Sequence, residues 1–222
     1  MAIEIRPVSS HRSLKLFVRF PFTLYRGNPY WVPPLISDEL NTLRTDRNPA
    51  FEHCTAKYWL AYDGRDIVGR IAGIINRKYI ERWKRKYARF SWIDFVDSPQ
   101  VAAALYGTVE HWARSEGMEA VHGPLGFTDL DREGMLEEGF NELGTMATSY
   151  NYPYYPQYTE SLGYVKEADW LEYEIQVPRE IPEKALKIAE LALQRRRLHM
   201  LEARKAEDFL PYARGIFDVI NE

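Results

Sequence analysis

Two apolar-rich runs, Lys57–Tyr62 and Ile67–Ile75, are joined by Asp63-Gly64-Arg65. Asp-Gly between such runs is a strong hairpin signal, because glycine takes the left-handed backbone that a tight reversal requires. An antiparallel pair this early commits the chain to a sheet, and the flanking periodicities say what covers it. His11–Tyr25 carries Leu14, Phe17, Val18 and Phe22 at helical spacing. Ile3–Pro7 reads as a short strand before it, and Ile36–Leu43 as a second helix after Pro29, Pro33 and Pro34 break the chain. Phe90–Val96 is rich in β formers. Ser98-Pro99 then supplies an N-cap and a proline at the first helical position. The helix Gln100–Glu116 follows, with Val101, Leu105, Val109 and Trp112 on one stripe, and stops at Gly117. Ala120–His122 reads as a short strand and Ser161–Val177 as a turn with a long strand. The fold class is therefore α/β: a mixed, mostly antiparallel central sheet flanked by helices.

Length and composition bound the function. The 222 residues are enough for one domain and part of a second. Hydrophobic residues at 45% can fill a core, and a net charge of −3 argues against a uniformly basic nucleic-acid binder. Cys54 is the one cysteine, so no internal disulfide and no multi-cysteine metal site forms. The first ten residues lack the basic and apolar regions of a signal peptide, and no run approaches roughly 18 apolar residues. A cytoplasmic protein follows, with contact to the inner face of the membrane still open to it. The C-terminal region repeats the N-terminal order. Met200–Lys205 reads as a strand and Asp208–Asn221 as an amphipathic helix, and Glu202-Ala203-Arg204 echoes Glu4-Ile5-Arg6. The expected organisation is a domain over 1–178, a linker and helix over 179–197, and the start of a second, similar domain over 198–222.

Three passages resemble the GNAT superfamily of N-acyltransferases. Tyr58–Ala72 resembles the family's central hairpin, and Phe90–Val96 followed by Val101–Gly117 its next strand and helix. Tyr158-Thr159-Glu160-Ser161-Leu162-Gly163-Tyr164 resembles the turn before its last strands. Gly123–Gly134 is similar to a segment of bacterial two-domain GNAT-like proteins. The resemblance implies a GNAT-like sheet, acyl-CoA or acetyl-CoA as cosubstrate, and an amine acceptor that is either a small molecule or a lipid. It also implies that Ile93, Phe95 and Val96 on the strand, with Ser98 and Gln100 at the helix start, hold the coenzyme. The family pattern there is R/Q-x-x-G-x-G/A, whose bare N–H groups bind diphosphate. This chain reads Asp97-Ser98-Pro99-Gln100-Val101-Ala102-Ala103, with no glycine and a proline that removes a donor. Weak diphosphate binding is expected. The family's catalytic tyrosine position is Thr159 here, with Tyr158 one residue earlier.

The chemistry rests on few side chains. Period-2 alternation puts Asp94 on a face with Phe90, Trp92 and Val96. Such an acid is either a general base toward an amine or a hydrogen-bonded carboxylate. Tyr154, Tyr155 and Tyr158 either donate a proton to a departing thiolate, line a pocket, or pack around Pro153 and Pro156. Asn151 either contacts bound ligand or forms an Asx turn. Asp129-x-Asp131-x-Glu133-Gly134 fails as a calcium loop, since the twelfth position is Phe140. Thr128 and Asp131 are expected to cap a short helix through Leu136. His53-Cys54 does not form a nucleophile pair, and the five histidines lack metal-ligand spacing. Arg77–Arg89 holds seven cations and one acid, with Tyr79, Trp83 and Tyr87 among them. That mixture suits an anionic membrane surface, phosphate, or a solvated face paired with Asp129–Glu142.

Overall fold

A computed structural model describes residues 3–145, 147–196 and 201–220. The chain divides into two compact units, one running to Trp170 and one from Leu171 onward.

The first unit opens with β1 (Glu4–Pro7) and α1 (His11–Leu24). Ser10 caps α1 through a reciprocal pair of bonds with Ser13. After α2 (Ile36–Thr42) and a 3-10 turn at Pro49–Glu52 comes the expected hairpin, β2 (Cys54–Asp63) and β3 (Asp66–Asn76), with Gly64 at φ +61° in the turn. The segment expected as a basic connection folds as α3 (Arg77–Trp83) and the start of β4 (Tyr87–Phe95). Ser98 caps α4 (Pro99–Ser115), which leads to β5 (Ala120–His122). Strand order is β1-β2-β3-β4-β5, antiparallel except for the parallel pair β4–β5.

Both sheet faces are covered. α1 lays Leu14, Phe17 and Val18 on Leu60, Ala72 and Ile74. α4 lays Val101, Leu105, Val109 and Trp112 on the other face, against Trp59, Ile71, Phe90 and Phe95. Gly73 permits this close approach, because a Cβ there would meet the Trp112 ring at 2.5 Å.

Four expectations change. The alternation along β4 breaks at a bulge: register slips between Arg70 and Ala72, and Trp92 adopts φ +42°. Phe90 therefore faces α4, whereas Trp92 packs on the α1 side and Asp94 bonds Tyr25, the residue that follows α1. No helix forms through Leu136; the Asp131 carboxylate instead reaches back to accept from the Phe127 and Thr128 amides. Tyr158 lies on α5 (Tyr154–Ser161), the expected turn follows at Leu162-Gly163, and no strand forms from there to Pro182. Leu171, Tyr173, Ile175 and Val177 alternate as a strand would but stay exposed, because a ladder needs a second strand to accept its bonds. In the second unit, 201–205 is irregular rather than extended, and Met200 lies outside the described residues. That unit holds α6 (Glu183–Arg196), a 3-10 segment (Ala206–Tyr212) and α7 (Ala213–Ile220).

Candidate functional site

β4 runs beside β5 only from Tyr87 to Arg89, and the Leu125 amide donates once more to Phe90 O before the chains part. At the far end of β4 the bulge has turned Asp94 toward its register partner on β3, Arg70. Arg70 places both Nε and Nη2 2.7 Å from Asp94 Oδ2. Its Nη1 donates to Phe17 O at 2.9 Å. Tyr25 Oη donates to Asp94 Oδ1 at 2.8 Å. A carboxylate only accepts, so the Tyr25 proton is committed, and Tyr155 donates to Tyr25 at 3.1 Å, nearer than its other acceptor, Phe95 O, at 3.4 Å. Tyr155 Oη in turn accepts from the Phe95 amide at 2.8 Å. The result is a directed chain from Phe95 N–H through Tyr155 and Tyr25 to Asp94, closed by Arg70. All four residues are 7% exposed or less. Burial, then the charge of Asp94, pushes the phenols of Tyr25 and Tyr155 well above the usual tyrosine range, so both keep their protons at neutral pH.

α5 seals the same strand end. Tyr154 Oη donates to Phe95 O at 2.7 Å, so both outward backbone groups of Phe95 are occupied by α5 hydroxyls. The Tyr155 ring stacks on Phe95 with centroids 4.2 Å apart. One turn further along α5, Tyr158 donates to Asp97 Oδ1 at 2.6 Å, and that bond raises its pKa.

The remaining expected residues serve local structure. Ile93 is buried against the α4-side core, and the Val96 amide donates to Val68 O. Asn151 is 4% exposed and ties down the insert, accepting from Leu136 N at 2.6 Å and donating to Leu136 O and Tyr152 O. At the start of α4, Pro99 has no donor, Val101 N reaches Ser98 Oγ at 3.4 Å, and Ala102 N bonds Ser98 O. Gln100 N–H alone in that turn has no hydrogen-bond partner among the described residues, and the Asp97 carboxylate precedes it. This start does not fit a coenzyme A diphosphate: it offers one donor where several are needed, next to a like charge.

Sequence reasoning missed Arg70 and Tyr25. Arg70 was the available signal, a lone cation inside the apolar run of β3. It also missed Glu39, whose Oε2 accepts from Trp92 Nε1 at 2.7 Å and braces the bulge. Other reactive groups are quiet. Cys54 is buried, which pushes its thiol up, and no three His, Cys, Asp or Glu side chains cluster for a metal among the described residues. An open groove of about 680 Å³ lies by Arg47, Thr55 and Arg77, at the opposite end of β2 and β3, and touches none of the network.

This five-stranded sheet, with its one parallel pair, its bulged and parting β4, and helices on both faces, is the mixed, mostly antiparallel, helix-flanked sheet expected from the sequence. No family model matches the chain. It is 35% identical over 172 residues to Protein YghO of Escherichia coli K12, covering 78% of this chain and 44% of that one. It is 28% identical over 184 residues to the bacterial ceramide synthase of Caulobacter vibrioides, covering 82% and 48%. The chain thus spans about half the length of the curated relatives it matches. Among solved structures, it is similar to a putative acetyl transferase from Pyrococcus furiosus at TM-score 0.45 and 15% identity, covering 78% of this chain and 99% of that one. A tandem GNAT protein of the clavulanic acid pathway gives TM-score 0.47 and 15% identity over 72% and 43%.

Proposed function

We propose that this chain contributes one GNAT-like domain to an N-acyltransferase that moves an acyl group from a thioester to a long-chain amine, and that this domain keeps its own donor cleft shut. The fold and the relative named bacterial ceramide synthase support the reaction class and a lipid acceptor. The observation that carries the closed cleft is the pair of tyrosine hydroxyls on Phe95 N and O. A thioester donor lying along β4 would need those backbone groups, and the α4 start offers its diphosphate almost nothing.

In this reading Asp94 is a positioning residue. Both of its oxygens are engaged, so it fixes the strand end and does not meet the amine. Tyr158 stands at the more open edge of the cluster, and its bond to Asp97 makes it a poor proton donor.

The test has two arms. The polypeptide that carries this sequence, given acetyl or long-chain acyl-coenzyme A and a long-chain amine, should release thiol only when the amine is present. No amine-dependent release from any donor sinks the transferase reading. Residues 1–222 alone, titrated with the same thioesters, should show almost no thermal shift. A ligand at about 100 times its Kd adds about 2.7 kcal/mol, so a clear rise in Tm would refute the closed cleft.

A further inference from the structure

The segment Arg77–Lys86 is unused by the site above, and its faces are sharply divided. Asn76 caps α3 through the Tyr79 amide, and Lys84 at φ +56° ends it. Ile80 packs on the α4-side core, while Tyr79 lies over Arg89 at 5.3 Å and beside His122 at 5.5 Å. Everything else in the segment faces water: Arg77, Lys78, Glu81, Arg82, Trp83 and Lys84–Lys86. Arg85 and Lys86 are held by Glu167 and Glu119 at 3.8 and 3.5 Å. Arg77 bonds Thr55 Oγ1. Lys78, Arg82 and Lys84 have no ion-pair partner among the described residues. Between the last two stands Trp83, 59% exposed, with the Arg82 guanidinium 5.4 Å from its ring.

We infer that α3 and the Lys84–Lys86 turn dock on an anionic bilayer, with Trp83 at the headgroup level and Lys78, Arg82 and Lys84 on lipid phosphates. These cations repel one another, and none has an ion-pair partner among the described residues; the Arg82–Trp83 ring contact alone offsets the repulsion. An indole prefers the boundary between headgroups and acyl chains, and lysine and arginine gain from the negative leaflet. A nucleic acid fits this surface less well. α3 is only about 10 Å long, Glu81 interrupts its cations, and no second exposed aromatic from this segment continues the track. The inference does not rest on acyl transfer. The segment meets the start of β4 and the Asp94 network its end, roughly 27 Å away at the usual rise per residue. Docking therefore leaves the network uncovered.

The experiment is co-sedimentation of the protein with phosphatidylcholine vesicles, with and without phosphatidylglycerol, at low and high salt. Binding is expected only to the anionic vesicles and should weaken with salt. Each cation contributes about fivefold near such a surface, so Lys78→Gln/Arg82→Gln/Lys84→Gln should lower the partition about a hundredfold. Trp83→Ala should weaken binding at both salt concentrations, because it removes an apolar contact. All four side chains are exposed, and unchanged thermal melting will show that the variants remain folded. Indifference of the wild type to anionic vesicles overturns the inference. So does undiminished binding by the triple variant, or binding to an oligonucleotide in place of vesicles.

Discussion

Replacing Asp94 by asparagine keeps the shape of the side chain and removes its charge. The amide can still accept from Tyr25, but its NH₂ must then face Nε and Nη2 of Arg70, donor against donor. Arg70 is 6% exposed and has no other anion among the described residues, so it becomes a buried cation whose remaining hydrogen bond there is to Phe17 O. Breaking a buried pair by removing one partner costs about 3–5 kcal/mol, against a total stability of about 5–15 kcal/mol for a domain. With a urea slope near 2 kcal/mol per molar, the midpoint should fall by roughly 2 M. Trp59 and Trp112 are buried together in the sheet–helix core, and their fluorescence reports the unfolding of this unit. Replacing both charges, Arg70→Met with Asp94→Leu, removes the orphaned cation and leaves Phe17 O without its donor, while Tyr25 keeps Tyr155 and Tyr150 O. It should recover about 2 kcal/mol or more relative to the sum of the single variants. A shift for Asp94→Asn within about 1 kcal/mol would refute the reasoning, since an Arg70 that tolerates losing its anion is not desolvated as described.

Tyr155→Phe keeps the stack on Phe95 but orphans the buried Phe95 amide, and calorimetry should show a loss of about 1–3 kcal/mol. Gly73→Ala drives a methyl into the Trp112 ring and should cost about 1–3 kcal/mol by urea titration, whereas Gly107→Ala, with open space around it, should not destabilise. The phenols of Tyr25 and Tyr155 titrate above the ordinary value of 10 in the folded chain, so their contribution is intact below pH 10 and is lost as pH rises beyond it. Urea midpoints across that range should fall, and Tyr25→Phe should flatten the fall. Burial lowers the pKa of His122 below 6.5, so its contribution is present above that pH and lost on acidification; His122→Phe should be less sensitive to mild acid.

The parts of this fold legible in the sequence are those whose signals are local. Asp63-Gly64 between apolar runs, Ser98 as a cap, and the 3.6-residue stripe from Val101 to Trp112 each act within a few residues, and each element formed where its signal lay. The strand pattern Leu171–Val177 is equally clear, yet pairing is a property of two segments, and alternation cannot supply the second. The insert Gly123–Pro153 has no period to read; it is fastened by single bonds such as those of Asn151 and Arg89, which no spacing announces. Asp94 and Tyr155 were visible as residues, but their roles depended on partners. Arg70 and Tyr25 lie 24 and 69 residues from Asp94, and nothing local marks the pairing.

The bulge at Trp92 explains why the ion pair and the sheet register belong together. Without it, strict alternation would leave Asp94 on the face of Phe90, pressed against Val101 and Leu105 of α4 with no cation in reach. One extra residue opposite Ile71 reverses the faces, sends Phe95 into the α4 core and brings Asp94 to Arg70. A slip of one residue would bury both charges unpaired, which is far worse than losing an apolar contact, so the pair selects the bulged register over its straight alternative. Trp92 bears the cost as a left-handed backbone that a bulky side chain rarely adopts, and Glu39 holds its indole in place. The same reversal aims the N–H and C=O of Phe95 away from β3, where the α5 tyrosines meet them. The closed end of β4 is thus set by the device that fixes its register, and loosening one should loosen the other: Glu39→Ala should weaken protection of the Phe95 amide in hydrogen exchange while leaving amides at the start of β4 unchanged. Equal loss of protection along the whole strand would show that the two are not coupled in this way.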